Sequence, residues 1–133
     1  MPTYTGGRNP QLATNDPTIY SVDLTAATVT TGGAVASIAN PFGAACVITR
    51  AFLRVTTGST GAATVDIGVA ANGTTTSDTL IDGQSVQTAG LLSTAGTNGA
   101  TPREWGASQF VTVTASATLA GLVGALYLEL VRA

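Results

Sequence analysis

Histidine and lysine are absent from this chain, and it has a single cysteine and few aromatic or charged residues. Without histidine, Ser-His-Asp and Cys-His nucleophilic mechanisms are closed. Without lysine, so are Schiff-base chemistry, the Ser-Lys dyad and the phosphate-loop motif. One cysteine excludes a disulfide within the chain, and no Cys/His cluster of zinc type exists. Cys46 lies among Ala45, Val47 and Ile48, and its nearest cation in sequence is Arg50. It reads as a small buried hydrophobe, not an activated thiol. Charged residues are 9% of the chain, against roughly 25% in an average soluble domain. The cations are five scattered arginines, Arg8, Arg50, Arg54, Arg103 and Arg132, within a net charge of -2. That is not the basic stripe of a nucleic-acid binder, so no nucleic-acid partner is expected. No long apolar run is present. Leu119–Val131 contains Glu129 and falls short of the ~20 residues that span a bilayer. The polar stretch Met1–Asn15 has no apolar leader region, so no membrane partner is expected either.

What is present is Thr, Val, Ala and Gly in strand-like order. A chain of 133 residues is enough for one core, and with aromatics at 5% that core must be built from Val, Ile, Leu and Ala. Residues 1–18, broken by Gly6, Gly7, Pro10 and Pro17, read as an extended N-terminal arm, and residues 19–133 as the folded β domain. Strands are expected at Ile19–Leu24, Ala34–Ala39 (ended by Asn40-Pro41), Cys46–Thr57, Ala63–Ala70 and Gln109–Ala115. Leu119–Arg132 also fits a helical spacing, but Gly121, Gly124 and Leu128 favour a strand with Leu126, Leu128 and Leu130 on one face. Residues 72–107 read as a polar connection, with turns at Asn72-Gly73, Asp82-Gly83 and Asn98-Gly99 and anchors at Leu80-Ile81 and Leu91-Leu92. The strongest local expectation is a hairpin of Cys46–Thr57 with Ala63–Ala70 around Gly58–Gly61. Alternation puts Val47, Ala51, Leu53 and Val55 on one face, and Val65, Ile67 and Val69 on one face of the second strand. Matching these faces sets Val55 opposite Val65 and Leu53 opposite Ile67. It also makes Arg54 and Asp66 a cross-strand ion pair and lays Phe52 over Gly68.

Chemistry-bearing patterns are weak. Asp66, Asp78, Asp82 and Glu104 are the candidates for a carboxylate pair, but no spacing supports one. Asp78–Gly83 lacks the alternating oxygen ligands of a calcium loop and reads as a turn. Asn72-Gly73-Thr74 is formally a glycosylation sequon and reads as a turn as well. Trp105, the only tryptophan, is either a core anchor or a stacking platform for a sugar or protein partner. No catalytic residue, metal or cofactor is expected, and the chain reads as a structural or binding module, not an enzyme.

Several runs carry a resemblance. Ile38–Gly43, Val47–Arg50 and Val55–Thr57 lead to the distinctive Ser59–Ala70 and Thr75–Gly83. Gly96–Gly99, Trp105-Gly106 and Ala120–Gly124 follow. Together these resemble small tailed-bacteriophage virion proteins of the head decoration, or cement, type, from about residue 35 to the end. The resemblance implies an all-β, jelly-roll-like antiparallel β-sandwich on the virion capsid surface. It further implies the major capsid protein as partner and a homo-oligomer, expected to be a trimer. The expected interface residues are Arg8, Arg50, Phe52, Arg54 and Trp105. Other readings are a head-fibre or tail-surface virion protein and a carbohydrate-binding β-sandwich.

Overall fold

In a computed structural model, residues 17–25, 30–93 and 96–133 are described. Residues 1–16 of the expected arm lie outside them, and Thr18, also assigned to the arm, is already the first residue of a strand. The described elements are β1 (Thr18–Asp23), β2 (Gly33–Ala39), β3 (Cys46–Thr57), β4 (Thr64–Ala70), β5 (Ile81–Ser85), β6 (Gly90–Ser93), β7 (Arg103–Trp105), β8 (Phe110–Ala115) and β9 (Val123–Arg132). They form two antiparallel sheets packed face to face. The front sheet runs β1-β9-β3-β6, with β7 also paired to β3, and the back sheet runs β2-β8-β4-β5. Leaving aside β7, this interleaving of early and late strands over two four-stranded sheets is the order of a jelly roll.

The layers follow from alternation. In β9, Leu126, Leu128 and Leu130 are buried and Tyr127 and Glu129 half-buried. In β4 and β8, Val65, Ile67, Val111 and Val113 are fully buried. These side chains, with Ile48, Leu53 and Trp105, form one core between the sheets. Each large apolar side chain buried there contributes about 1.5–3 kcal/mol.

The expected hairpin does not form. β3 pairs with β9, β6 and β7, and β4 pairs with β8 and β5. Inward parity holds for Ala51, Leu53, Val55, Val65 and Ile67, all of which are buried, but not for Val47. But two strands with inward apolar faces can lie side by side in one sheet or in opposite sheets of a sandwich, and parity alone does not separate these. Residues 58–63 carry the chain between sheets. There Ser59 N–H donates to the Val86 carbonyl (3.0 Å) and Thr60 N–H to the Ala120 carbonyl (2.9 Å). The register pairs and the Arg54–Asp66 ion pair are therefore replaced. Arg54 lies opposite Ala125 and Leu91, and Asp66 opposite Thr114.

Three further expectations change. A bulge between Ile48 and Arg50 shifts the parity of β3. Cys46 and Ile48 therefore point inward with Ala51, and Val47 is only half-buried. The 72–107 segment contains β5, β6 and β7, whose three to five residues are too short for alternation to register. The last strand begins at Val123, and Leu119 and Leu122 are buried from a turn closed by Leu122 N–H on the Leu119 carbonyl (3.0 Å). Gly121, at φ +82°, makes that turn possible.

Candidate interaction face

The outer faces of the two sheets differ. Behind β4 and β8, residues 74–79 fold across the back sheet. Thr112 Oγ1 donates to the Thr75 carbonyl (3.0 Å), Ser77 Oγ to the Val69 carbonyl (2.8 Å), and Val69 N–H to Thr79 Oγ1 (3.0 Å). Gly68 lies directly beneath this loop, where a Cβ would sit 2.3 Å from Ser77 Oγ. The loop covers Gly68, a role the sequence had assigned to Phe52. Among the described residues nothing lies over the front sheet in this way.

Register arranges the front face in rows across the strands. Ile19, Glu129 and Arg50 form one row. Ser21, Tyr127, Phe52 and Ser93 form the next, and Asp23, Ala125, Arg54 and Leu91 the third. Phe52 stacks on Tyr127 with ring centroids 5.1 Å apart at 19°. Around this pair stand the exposed apolar residues Ile19 (55%), Leu91 (69%) and Val123 (37%). Shallow hollows flank it. One, of about 470 Å³, is lined by Arg50, Phe52, Leu91, Ser93 and Thr101. Another, floored by Gly124 and Ala125, has Asp23 on one side and Arg54 on the other.

The charges of the face are few. Arg50 Nε lies 3.5 Å from Glu129 Oε1. This exposed pair is worth about 0–1 kcal/mol. Thr49 Oγ1 also donates to that carboxylate (2.9 Å). Arg54 is exposed and forms no ion pair among the described residues. The Asp23 carboxylate is held below the usual range because it accepts hydrogen bonds from Thr25, whose N–H is at 2.7 Å.

Of the five expected interface residues, the structure brings Arg50, Phe52 and Arg54 onto this one face, and Arg8 lies outside the described residues. Trp105 does not belong to it. Its side chain is fully buried, with Nε1 donating to the Gln109 carbonyl (3.0 Å), so it is a core anchor and no platform. The sequence missed the residue that anchors this corner. Asn40 is buried, and its Nδ2 donates to the carbonyls of Ala44 (3.0 Å), Trp105 (3.0 Å) and Gly106 (3.2 Å) while Oδ1 accepts from Phe42 N–H (2.8 Å). In the sequence it marks only the end of a strand, and no local signal marks it as a bridge to β7. The sequence also left Tyr127, Ile19 and Leu91 unassigned to the face, although the alternation of β9 and β1 marks Tyr127 and Ile19 as outward.

The carboxylates of Asp66 in β4, Asp82 in β5 and Asp78 in the loop between these strands act as hydrogen-bond acceptors. Asp66 Oδ1 accepts from Gly83 N–H (2.7 Å), Asp82 Oδ2 from Asn98 N–H (3.1 Å), and Asp78 Oδ2 from Asn98 Nδ2 (3.0 Å). Among the described residues no group of three His, Cys, Asp or Glu side chains is placed to hold a metal ion. Comparison of the chain with protein-family models, curated proteins and solved structures finds no match.

Proposed function

We propose that this chain is a structural virion protein that decorates the outer surface of a tailed-phage head and stabilises it, binding the major capsid protein through the front face and acting without catalysis. The observation that carries the reading is that face, a sheet surface that no described residue covers, with exposed Ile19, Leu91 and Val123 around the Phe52–Tyr127 stack. Exposed apolar side chains brought together on one sheet face are the kind of feature that marks an interaction site. The residues that resemble cement proteins and the jelly-roll order support the same reading, although a fold does not by itself fix a function. A decoration protein adds buried area between capsid subunits and so stabilises the shell by mass action. The buried Trp105 offers a carbohydrate no stacking platform, which weakens the carbohydrate-binding alternative.

The test is binding of the purified protein to undecorated heads, with subunits counted per particle. Wild type should load at a stoichiometry near that of the major capsid protein. Arg54→Glu and Leu91→Asp should reduce loading with unchanged circular dichroism. A copy number of a few per particle would favour the head-fibre or tail-surface alternative. Unchanged loading of both variants would overturn the assignment of the face.

A further inference from the structure

The free edges of the two sheets are not alike. β2 is interrupted by a bulge at Val35, and the pairing of β5 is irregular between Val65 and Ile67. β6 and β7 have only four and three residues. β1 has six residues in unbroken register with β9, and between Thr18 and Asp23 it contains no proline, no lysine and no bulge. Short strands, bulges, prolines and edge charges are the devices that stop edges from pairing with other chains, and β1 has none of them until Asp23 at its end. Among the described residues nothing pairs with its outer edge.

The direction of its backbone groups follows from one bond. Leu24 N–H donates to the Gly124 carbonyl at 2.9 Å. Bonded pairs alternate along an antiparallel ladder, so Val22, Tyr20 and Thr18 also bond to β9. The N–H and C=O groups of Ile19, Ser21 and Asp23 therefore point to the open edge.

From this we infer that β1 is a docking edge for a second copy of the chain, pairing antiparallel with the β1 of that copy about a two-fold axis at Ser21. In this register Ser21 bonds its counterpart, and Ile19 and Asp23 exchange bonds with Asp23 and Ile19 of the second copy. All three free donors and all three free acceptors of each edge are used. A register centred on Ile19 would bring Pro17 opposite Ser21, and Pro17 has no N–H to offer. The same register places Tyr20 opposite Val22 on the inner face. Both are half-buried residues packed against the core at its open margin, and an aromatic residue opposite a β-branched one is a favourable cross-strand pair. The two Asp23 carboxylates lie at opposite ends of the contact, about 13 Å apart at 3.3 Å per residue, beyond a Debye length at physiological salt. The pair joins two front sheets into one of eight path strands and sets their outer faces side by side.

An edge some 20 Å long is short of the ~800 Å² per partner of a standard interface, so the contact exchanges freely in solution. It is two-fold and adds to any three-fold assembly without replacing it. Nor does it depend on the capsid reading.

The test is sedimentation equilibrium of the full-length protein through the micromolar range and above, with amide exchange measured at both ends of that range. The mass should double with concentration whatever the smallest species, and the Ile19, Ser21 and Asp23 amides should gain protection as it does. Ser21→Lys sets like charges directly opposite across the axis. Ser21→Pro removes an N–H that bonds to no described residue. Each should weaken the doubling at least several-fold, while Ser21→Ala leaves it intact. A mass independent of concentration would overturn the inference. So would Lys and Pro variants that associate like wild type, or a doubling lost only when residues 1–16 are removed. Amide protection in the wild type decides the matter even where a variant folds poorly.

Discussion

Ile67 separates the two faces of the back sheet most sharply. It is fully buried at the middle of β4, opposite Val113 of β8 and Ile81 of β5, and both of those partners are fully buried too. Ile67→Ala removes three carbons from a site walled on both sides by paired strands and facing the opposite sheet, so little can move in to fill the space. Large-to-small changes at such sites cost about 2–5 kcal/mol, against a total stability of about 5–15 kcal/mol for a domain. At a urea dependence of about 1.5 kcal/mol per molar, a loss near 3 kcal/mol lowers the midpoint by about 2 M. Leu91→Ala is the matched control. It deletes a similar side chain that is 69% exposed, and its effect should stay within about 0.5 kcal/mol. Urea titrations of the three proteins, followed by tryptophan fluorescence and circular dichroism together, give both numbers. A loss at Ile67 below about 1 kcal/mol, or one equal to that at Leu91, would refute the placement of Ile67 in the core and with it the layering of the sheets.

Four further outcomes are expected. Gly58→Ala should destabilise by more than about 2 kcal/mol by thermal melting, because its Cβ would sit 1.9 Å from the Gln87 carbonyl oxygen, a contact that only backbone movement relieves. The buried Cys46 thiol, pushed above the ordinary thiol range by desolvation and pulled back only partly by Asn40, should resist a disulfide exchange reagent in the native state and react fully in denaturant. Because the unfolded chain releases that proton first, stability should be flat below about pH 8 and should fall as pH rises past about 8.5, where free thiols ionise. Cys46→Ala should flatten that fall in pH-dependent urea midpoints. Trp105 emission should be that of a buried indole and should shift to the red only with global unfolding, since its ring is enclosed and its Nε1–H is held by Gln109.

Much of the local structure was legible in the sequence. Val65-Asp66-Ile67 and Leu126-Tyr127-Leu128 declare which side chains point inward, because successive residues of a strand face opposite sides. Cys46–Thr57 could be bounded to the residue by the turn formers around it. The outward placement of Arg50, Phe52 and Arg54 was legible for the same reason. What the sequence could not carry was the choice of neighbour. Val55 and Val65 obey the same alternation whether they share a ladder or face each other across the core, and only long-range pairing with β9 and β8 decides between these. Trp105 had no local signal either, since a strand of three residues has no period to read. The front face was invisible for a related reason. Ile19, Tyr127, Phe52 and Leu91 come from four separate strands, and they become neighbours because the last strand, β9, inserts between the first and the third. Hydrophobic alternation is a property of consecutive residues and was readable from the chain alone, whereas strand order depends on which distant segments bury the most surface together and was decided only by the tertiary structure.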